Sequence, residues 1–592
     1  MTKRSAILYV FTAVTFWLPL TLKANFQFLG NVQSFHQQQN QLILNCGVPQ
    51  VQITVLAPDL IRIRMTSNGH FPEDHSYAVV KTDWPATEPS VQDSPHEIVI
   101  TTAELVLRIN KSPCRLAFYD QAGNLINKDY PPFGMGWDGD KITCWKEMTP
   151  DEKFYGLGEK VGGINKRGHT WVMWNTDAFG YTDITDPLYQ SHPFFLGLRQ
   201  GRGYGIFFDN TYRSEFRLAS GTDEFYSFGA DGGEMNYYFF YGPGLKKILT
   251  RFTELVGRMP LPPKWALGYQ QCRWSYYPES EVRRIARTFR EKQIPCDVIY
   301  LDIHYMDGYR CFTWDKQRFP DPKKLLADLE AMGFKVVVII DPGIKVDPGY
   351  WVHDQGLAGD HFCKYPDGRL YVGQVWPGNC YFPDFTRPET RFWWGSLYTQ
   401  LLEQGVDGFW NDMNEPAVWG GTFPDVVQHH DFGQTVDHSK IHNVYGLEMA
   451  RGTYEGNLRL RPDRRPFVLT RAGFTGVQRY AAVWTGDNTA TWNHLSLCLP
   501  MCLSLGLVGV PFVGYDIGGF SGSPSPELYS RWLQLGSFTP LCRTHSALGT
   551  AAQEPWVYGD DFETINRNFI QKRYKLLPYL YDAFHEASIS GL

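Results

Sequence analysis

Gly408-Phe409-Trp410-Asn411-Asp412-Met413-Asn414-Glu415-Pro416 is the stretch on which the reading of this chain turns. An apolar run from Val406 to Trp410 ends abruptly in acidic and amide groups. A buried strand whose carboxyl end opens into a polar pocket has this form. Side chains alternate faces along a strand, so phase separates the two nearby aspartates. Asp412 shares the face of Val406, Gly408 and Trp410, whereas Asp407 is one residue out of phase and should face surrounding helices. A matching event follows at Ala481-Ala482-Val483-Trp484-Thr485-Gly486-Asp487-Asn488. Two strand ends that each deliver an aspartate beside a tryptophan are the parts of a sugar-cleaving carboxylate pair.

Around this stretch the sequence alternates strand and helix from Pro260 onward. Eight short apolar strands are expected, at Ala266–Gln271, Val298–Asp302, Val336–Asp341, Gly408–Asp412, Phe467–Arg471, Val483–Asp487, Val510–Asp516 and Thr539–Arg543. Helical segments separate most of them, including Ser280–Lys292, Pro322–Met332 and Thr390–Glu403. Eight such units predict a (β/α)8 TIM barrel over residues 259–592. Two connections, 343–387 and 416–442, are too long for plain loops and are expected to build the pocket as ordered insertions.

Upstream the grammar is different. Ile61, Ile63 and Met65 alternate with Leu60, Arg62 and Arg64, and Leu105, Leu107 and Ile109 repeat the period of two. Leu116 and Phe118 lead into the turn Asp120-Gln121-Ala122-Gly123-Asn124. This predicts an antiparallel β-sandwich over residues 26–258, giving an α/β chain of two main domains.

Residues 1–25 stand apart. Lys3 and Arg4 precede an apolar run from Ala6 to Leu22. This reads as a signal peptide or a membrane anchor, although Leu22-Lys23-Ala24 is a poor cleavage site. The competing reading is an extension from an upstream start codon. Localisation therefore stays open between export, membrane anchoring and the cytoplasm.

Composition excludes some classes. The formal net charge is −6 and no basic field covers the chain, so nucleic acid is not expected as a partner. The short run Arg461-Pro462-Asp463-Arg464-Arg465 reads as a solvated loop. The 11 cysteines show no zinc-like spacing and are expected to be free and buried, which favours a reducing compartment. Cys498 and Cys502 fit helix packing within Leu495–Leu507.

Asp302, Asp341, Asp412, Asp487 and Asp516 fall at carboxyl ends of the expected strands, joined by Arg471 and His545. In a barrel that rim carries the active site. A wet pocket crowded with carboxylates suits hydrogen bonding to many hydroxyls and stabilisation of a cationic transition state. A divalent metal site is the weaker reading, because the ligand spacing is wrong, and no cofactor is expected. His429-His430-Asp431 likewise reads as a solvated insertion loop rather than a metal cluster.

These residues also carry a resemblance. Trp410-Asn411-Asp412-Met413-Asn414-Glu415 resembles the nucleophile signature of glycoside hydrolase family 31, the α-glucosidase family. Tyr300 to Asp307, Ile340-Asp341-Pro342, Gly373 to Gly378, Phe382 to Phe385, Thr470 to Gly473, Trp484 to Asp487, Asp516 to Phe520 and Arg543-Thr544-His545 resemble its other barrel motifs, in order. The resemblance covers at least residues 155–592.

It implies a retaining, exo-acting α-glucosidase with Asp412 as nucleophile and Asp487 as general acid/base. It further implies that Asp302 and His545 bind hydroxyls, and that Arg471 and Asp516 fix ring and carboxylate positions. Trp376, Trp410 and Phe520 would wall the pocket, with Asp341, Met413 and Trp484 in the same shell. Glu415, followed by Pro416, is expected to orient a neighbouring loop, and His304 leaves specificity open. The loop Asn175-Thr176-Asp177 is expected to reach the pocket from the sandwich and shape the leaving-group subsite. Maltose or malto-oligosaccharides would be the substrates. Transglucosylation, α-xylosidase activity and a truncated carbohydrate-binding protein are the alternatives. Family members continue into C-terminal β-domains, whereas this sequence ends at Leu592 after an apparent helix, Glu563 to Ser588, whose apolar face is expected to be exposed.

Overall fold

The computed structural model describes residues 26–85 and 87–592. The apolar N-terminal run lies outside the described residues. Among the described residues, no helix is long and apolar enough to cross a membrane.

The N-terminal part is built from antiparallel sheets of eight, six and five strands. The alternation read from sequence sets their faces. Gln50–Ala57 pairs with Leu60–Thr66, which pairs in turn with Met235–Gly242. Ile61, Ile63 and Met65 enter a common core with Leu105, Leu107, Ile109, Leu116 and Phe118. Arg64, on the opposite face, is also buried and is neutralised by Glu234 at 2.9 Å.

The C-terminal part is a parallel barrel of nine segments among the described residues. Two of them belong to the seventh strand, which breaks at Tyr515. Val513–Gly514 pairs with Ala482–Trp484, and Asp516–Ile517 pairs with Cys542–Thr544. The strand thus serves each neighbour with a different half, and the twisted sheet closes through it. The continuous strand expected over Val510–Asp516 is corrected accordingly. The first strand is also shorter than expected, Tyr269–Gln271, because Pro262 and Pro263 lead into a 3-10 turn at Lys264–Leu267.

The helices follow from their residues. Glu279–Glu291 has Glu279 and Glu281 in its first turn, which suits the positive end of the helix dipole. It buries Val282, Ile285, Ala286 and Phe289, one stripe at helical spacing. Pro322–Ala331 starts with proline at its first position, and Asp321 accepts from the Lys324 N–H. The helix expected over Thr390–Glu403 is two, Pro388–Leu397 and Thr399–Gln404, interrupted at Tyr398. The last helix, Asp560–Ser590, buries Ile570, Phe584 and Ala587 while leaving Tyr579 and Ile589 exposed. Its fully buried Arg573 donates to the carbonyls of Leu267, Ser537, Thr539 and Pro540, which ties the helix to the barrel.

Both long connections are ordered. Residues 343–387 hold a three-stranded antiparallel sheet and the helix Trp351–Ala358. Residues 416–442 hold the hairpin Gln428–Asp431 and Gln434–Asp437. They share an apolar core of Tyr371, Val375, Phe382, Met413, Phe423 and Val427. The hairpin overturns the solvated-loop reading of His429-His430-Asp431. His429 and Asp431 are buried, and Asp431 accepts from the Tyr77 hydroxyl and the Lys440 ammonium. All 11 cysteines are free and buried.

Candidate active site

The rim at the carboxyl ends of the strands is organised around Arg471. This residue follows the strand Val468–Thr470 and is 2% exposed. Its guanidinium contacts four carboxylates. It grips Glu415 through two hydrogen bonds, Nε to Oε1 at 2.7 Å and Nη2 to Oε2 at 2.8 Å. Asp412 Oδ1 lies 3.1 Å from Nε, Asp487 Oδ2 lies 3.4 Å from Nη1, and Asp177 Oδ1 lies 3.6 Å from Nη2. The planar guanidinium presents its donors in a fixed fork that matches a carboxylate bidentately, whereas a lysine ammonium is a point charge without that geometry. Met413 Sδ also sits 3.3 Å from Nη2, on a backbone with φ of 58°.

Neighbouring residues hold this group rigid. The Asn414 amide bridges the loops after two strands, donating to Thr470 Oγ1 and accepting from Ala472 N–H. Tyr189, from the sandwich, packs its ring 5.0 Å from the Arg471 Cζ. Its hydroxyl accepts from the Asp487 N–H at 3.3 Å. That approach needs Gly486, where a Cβ would lie 2.0 Å from the Tyr189 ring. The absence of one side chain thus sets where Asp487 stands.

The carboxylates differ in their proton affinity. Burial pushes Asp487 well above its ordinary value; Arg471 opposes this and the charge of Asp412 reinforces it. Burial also raises Asp412, with Arg471 opposing. Burial lifts Asp302 to about 8, against the Ile303 N–H that it accepts, and Asp412 adds to the rise. Asp341 is raised well above its ordinary value by burial and then by Asp412. Burial lifts Asp516 to about 6 against the opposing charge of Arg543. His545 is held neutral, first by burial and then by Arg543.

The floor is aromatic and contains a cation. Trp410 meets Trp484 edge-on at 5.7 Å and His545 at 5.2 Å. Beneath them the fully buried Arg543 pairs with Asp516 at 2.6 Å. Its Cζ lies 5.4 Å from the Tyr300 ring, 5.0 Å from Trp410 and 4.9 Å from Trp484. The wall continues from His545 to Phe520 at 4.9 Å, from Phe520 to Trp274 at 6.4 Å, and from Trp274 to Trp376 at 5.1 Å.

Several buried polar atoms in this region make no hydrogen bond within the protein: Asp341 Oδ1, Trp410 Nε1, Asp412 Oδ1, Asp516 Oδ2 and His545 Nδ1. Buried polar groups are normally satisfied, so a cluster of orphans marks where a polar ligand completes the set. Flat aromatic faces beside convergent donors and acceptors match a sugar.

The residues singled out from sequence therefore meet at one rim or directly beneath it. Trp484 and Trp410 are almost fully buried and form the floor. Glu415 grips Arg471, the residue that follows the neighbouring strand Val468–Thr470. Asp407 sits at the opposite end of its strand, bound to Lys335 at 3.1 Å. His304 bonds Ser275 at 2.9 Å and stacks on Tyr277. The Asn175–Asp177 loop does reach the site. Sequence reasoning gave no role to Arg543, which it named only within a motif, and missed Trp274 and Tyr189. An arginine inside the apolar strand Cys542–Thr544 was the available signal for the first.

Two groups of side chains come close enough to share an ion, Cys272/Asp302/His545 and Cys363/Asp384/His429. The first lies among the orphan atoms of the pocket. In the second, His429 Nδ1 is already hydrogen bonded to Asp384 at 2.9 Å.

This geometry coincides with relationships across the whole chain. Residues 259–583 match the glycosyl hydrolases family 31 TIM-barrel domain, and residues 50–216 match the glycosyl hydrolase 31 N-terminal galactose mutarotase-like domain. The chain is 47% identical over 567 residues to alpha-glucosidase 2 of Bacillus thermoamyloliquefaciens, covering 95% of this chain and 72% of the relative. It is 37% identical over 481 residues to an alpha-glucosidase of Saccharolobus solfataricus, covering 76% and 69%. Among solved structures, a Flavobacterium johnsoniae GH31 dextranase complexed with isomaltotriose superposes with a TM-score of 0.90 at 38% identity, covering 96% of this chain and 71% of that one. With the barrel and the sandwich both matched in this way, the chain belongs to glycoside hydrolase family 31 and is a glycoside hydrolase.

Proposed function

We propose that the protein is a retaining, exo-acting α-glucosidase that releases terminal glucose from α-linked oligosaccharides such as maltose. In this reading the sandwich unit spans 26–258 and the catalytic barrel 259–592. The observation that carries it is the single guanidinium of Arg471 touching both Asp412 and Asp487.

Asp412 acts as the nucleophile. Its carboxylate forms a bond to the anomeric carbon while the glycosidic C–O bond breaks. Asp487 gives its proton to the departing oxygen. Water then attacks the β-glucosyl ester, Asp487 takes the water proton, and α-glucose leaves with Asp412 restored. The order of proton affinities supports this division. Burial lifts Asp487 well above its ordinary value, so it keeps its proton, and lifts Asp412 less far; Arg471 opposes the rise of both.

Asp302, Asp341, Asp516 and His545 bind hydroxyls of the terminal sugar. Trp376, Trp410, Met413, Trp484 and Phe520 enclose it, and Asp177 faces the leaving-group side. The dextranase likeness favours α-1,6 linkages as a second substrate class.

A panel of maltose, isomaltose, nigerose and starch, followed by anomeric NMR, tests the assignment. The expected first product is α-glucose. Initial β-glucose, or oligosaccharide products without glucose, would overturn it.

A further inference from the structure

Four side chains, Asp384 and three histidines close together in sequence, form one buried hydrogen-bonded chain outside the carboxylate rim. Asp384 Oδ1 meets His429 Nδ1 at 2.9 Å, His429 Nε2 meets His438 Nδ1 at 2.9 Å, and His438 Nε2 meets His442 Nδ1 at 2.8 Å. His442 Nε2 then meets the backbone oxygen of Asn175 at 2.7 Å. All four side chains belong to buried residues. The chain runs from the first insertion, through the hairpin and the long helix His438–Leu460, to the sandwich loop.

A carbonyl oxygen can only accept, and this sets the direction of the series. His442 must donate from Nε2. Burial holds it neutral, at about 4, so its Nδ1 accepts from His438 Nε2. Burial keeps His438 neutral as well, so its Nδ1 accepts from His429 Nε2. His429 Nδ1 faces Asp384, a carboxylate that also accepts from Thr386 Oγ1 and the His430 N–H. Burial pushes Asp384 up, but His429 and these donors outweigh it and leave it below its ordinary value. His429 therefore donates from Nε2 to His438 with its Nδ1 against Asp384, and the histidine series has a single polarity directed at Asn175.

Asn175 lies two residues before Asp177, whose Oδ1 is 3.6 Å from Arg471. The same loop is held by Asn443, which accepts from the Asn175 N–H through Oδ1, and by Trp174 stacked on the His442 ring at 3.8 Å. We infer that His442 is a positioning residue of the active site: its hydrogen bond to the Asn175 carbonyl sets the loop that places Asp177 against Arg471, and Asp384, His429 and His438 fix the proton that makes that bond. The effect on turnover rests on the α-glucosidase reading above; the effect on the loop does not.

Two substitutions on the full chain separate positioning from packing. The amide nitrogen of His442→Gln occupies the place of Nε2 and reaches Asn175. His442→Asn offers an oxygen near the place of Nδ1 but is too short to reach that carbonyl. For His442→Asn, kcat/KM on maltose should fall ~10- to 100-fold, the range typical of a misplaced active-site group. His442→Gln should recover most of it. Asp177→Ala should add little further loss in the His442→Asn background, because both changes remove the same arrangement. Amide hydrogen exchange over residues 175–180 should be faster in His442→Asn than in His442→Gln or the wild type.

Equal activity and equal exchange in the two variants would overturn the inference, as would losses from His442→Asn and Asp177→Ala that multiply. If the wild type hydrolyses no α-glucoside, the proposed function fails, and the exchange comparison alone still decides the loop claim. If His442→Asn does not fold, His438→Leu breaks the chain one ring earlier and is judged by the same exchange and kcat/KM criteria.

Discussion

Arg471 holds Glu415 in a two-point grip, with Nε and Nη2 each committed to one oxygen of the carboxylate. The consequence falls on Asp412. Its Oδ1 lies 3.1 Å from Nε yet receives no aligned hydrogen bond, because that N–H points at Glu415. Asp412 thus gains the field of a cation while an oxygen stays uncommitted. This arrangement suits the nucleophile proposed above, since an aligned donor would have to be stripped away before attack on carbon.

Replacing Arg471 by Gln should therefore change the acid limb of the rate profile as well as the rate. Arg471 lowers the proton affinity of Asp412, and its loss raises it. In the proposed mechanism Asp412 reacts in its ionised form, so the acid limb of kcat/KM should move to higher pH. The lost buried pairing should also destabilise the fold by about 3–5 kcal/mol. An acid limb at the wild-type position would show that Arg471 does not govern Asp412.

Asp487→Ala should discriminate between leaving groups. A sugar alkoxide needs a proton to depart, whereas 4-nitrophenolate leaves without one. Turnover of maltose should fall by ~10²- to 10⁴-fold, the usual range for general acid catalysis, and cleavage of 4-nitrophenyl α-glucoside much less. Equal losses on both would argue against Asp487 as the acid.

Asp302→Asn should make the protein more stable at neutral and alkaline pH while impairing activity. The folded-state value of Asp302, about 8, lies above that of an unfolded aspartate, about 3.9. The folded state binds the proton more tightly, so this contribution is present below the unfolded value and is lost as pH rises toward 8. Asparagine keeps an acceptor for the Ile303 N–H without the charge. The variant should match the wild type near pH 4 and exceed it by a few kcal/mol near pH 8, measured by chemical denaturation. A variant less stable than the wild type at pH 8 would contradict this account.

Much of this arrangement was legible in the sequence because it depends on local pattern. Apolar runs ending in aspartate place Asp302, Asp341 and Asp412 at the rim, and strand phase alone separates Asp412 from Asp407. What escaped depends on contacts distant in sequence. Arg543 lies inside an apolar strand, and only the opposing Asp516 and the Tyr300, Trp410 and Trp484 rings account for it. The break at Tyr515 comes from barrel closure, which no local signal encodes. His429 read as a solvated loop residue because its partners, Asp384 and His438, reach it only when the hairpin folds against the first insertion.

The central claim is that Asp412 supplies the nucleophile of a double displacement. The most direct test is turnover of 4-nitrophenyl α-glucoside by Asp412→Ala with and without sodium azide, with the product identified by NMR. Without azide, activity should fall by on the order of 10⁴-fold or more, as expected for loss of a nucleophile. Azide, attacking from the face that Asp412 occupied, should restore part of it and yield β-glucosyl azide. Near-normal hydrolysis by Asp412→Ala, or rescue that yields the α-azide, would contradict the account.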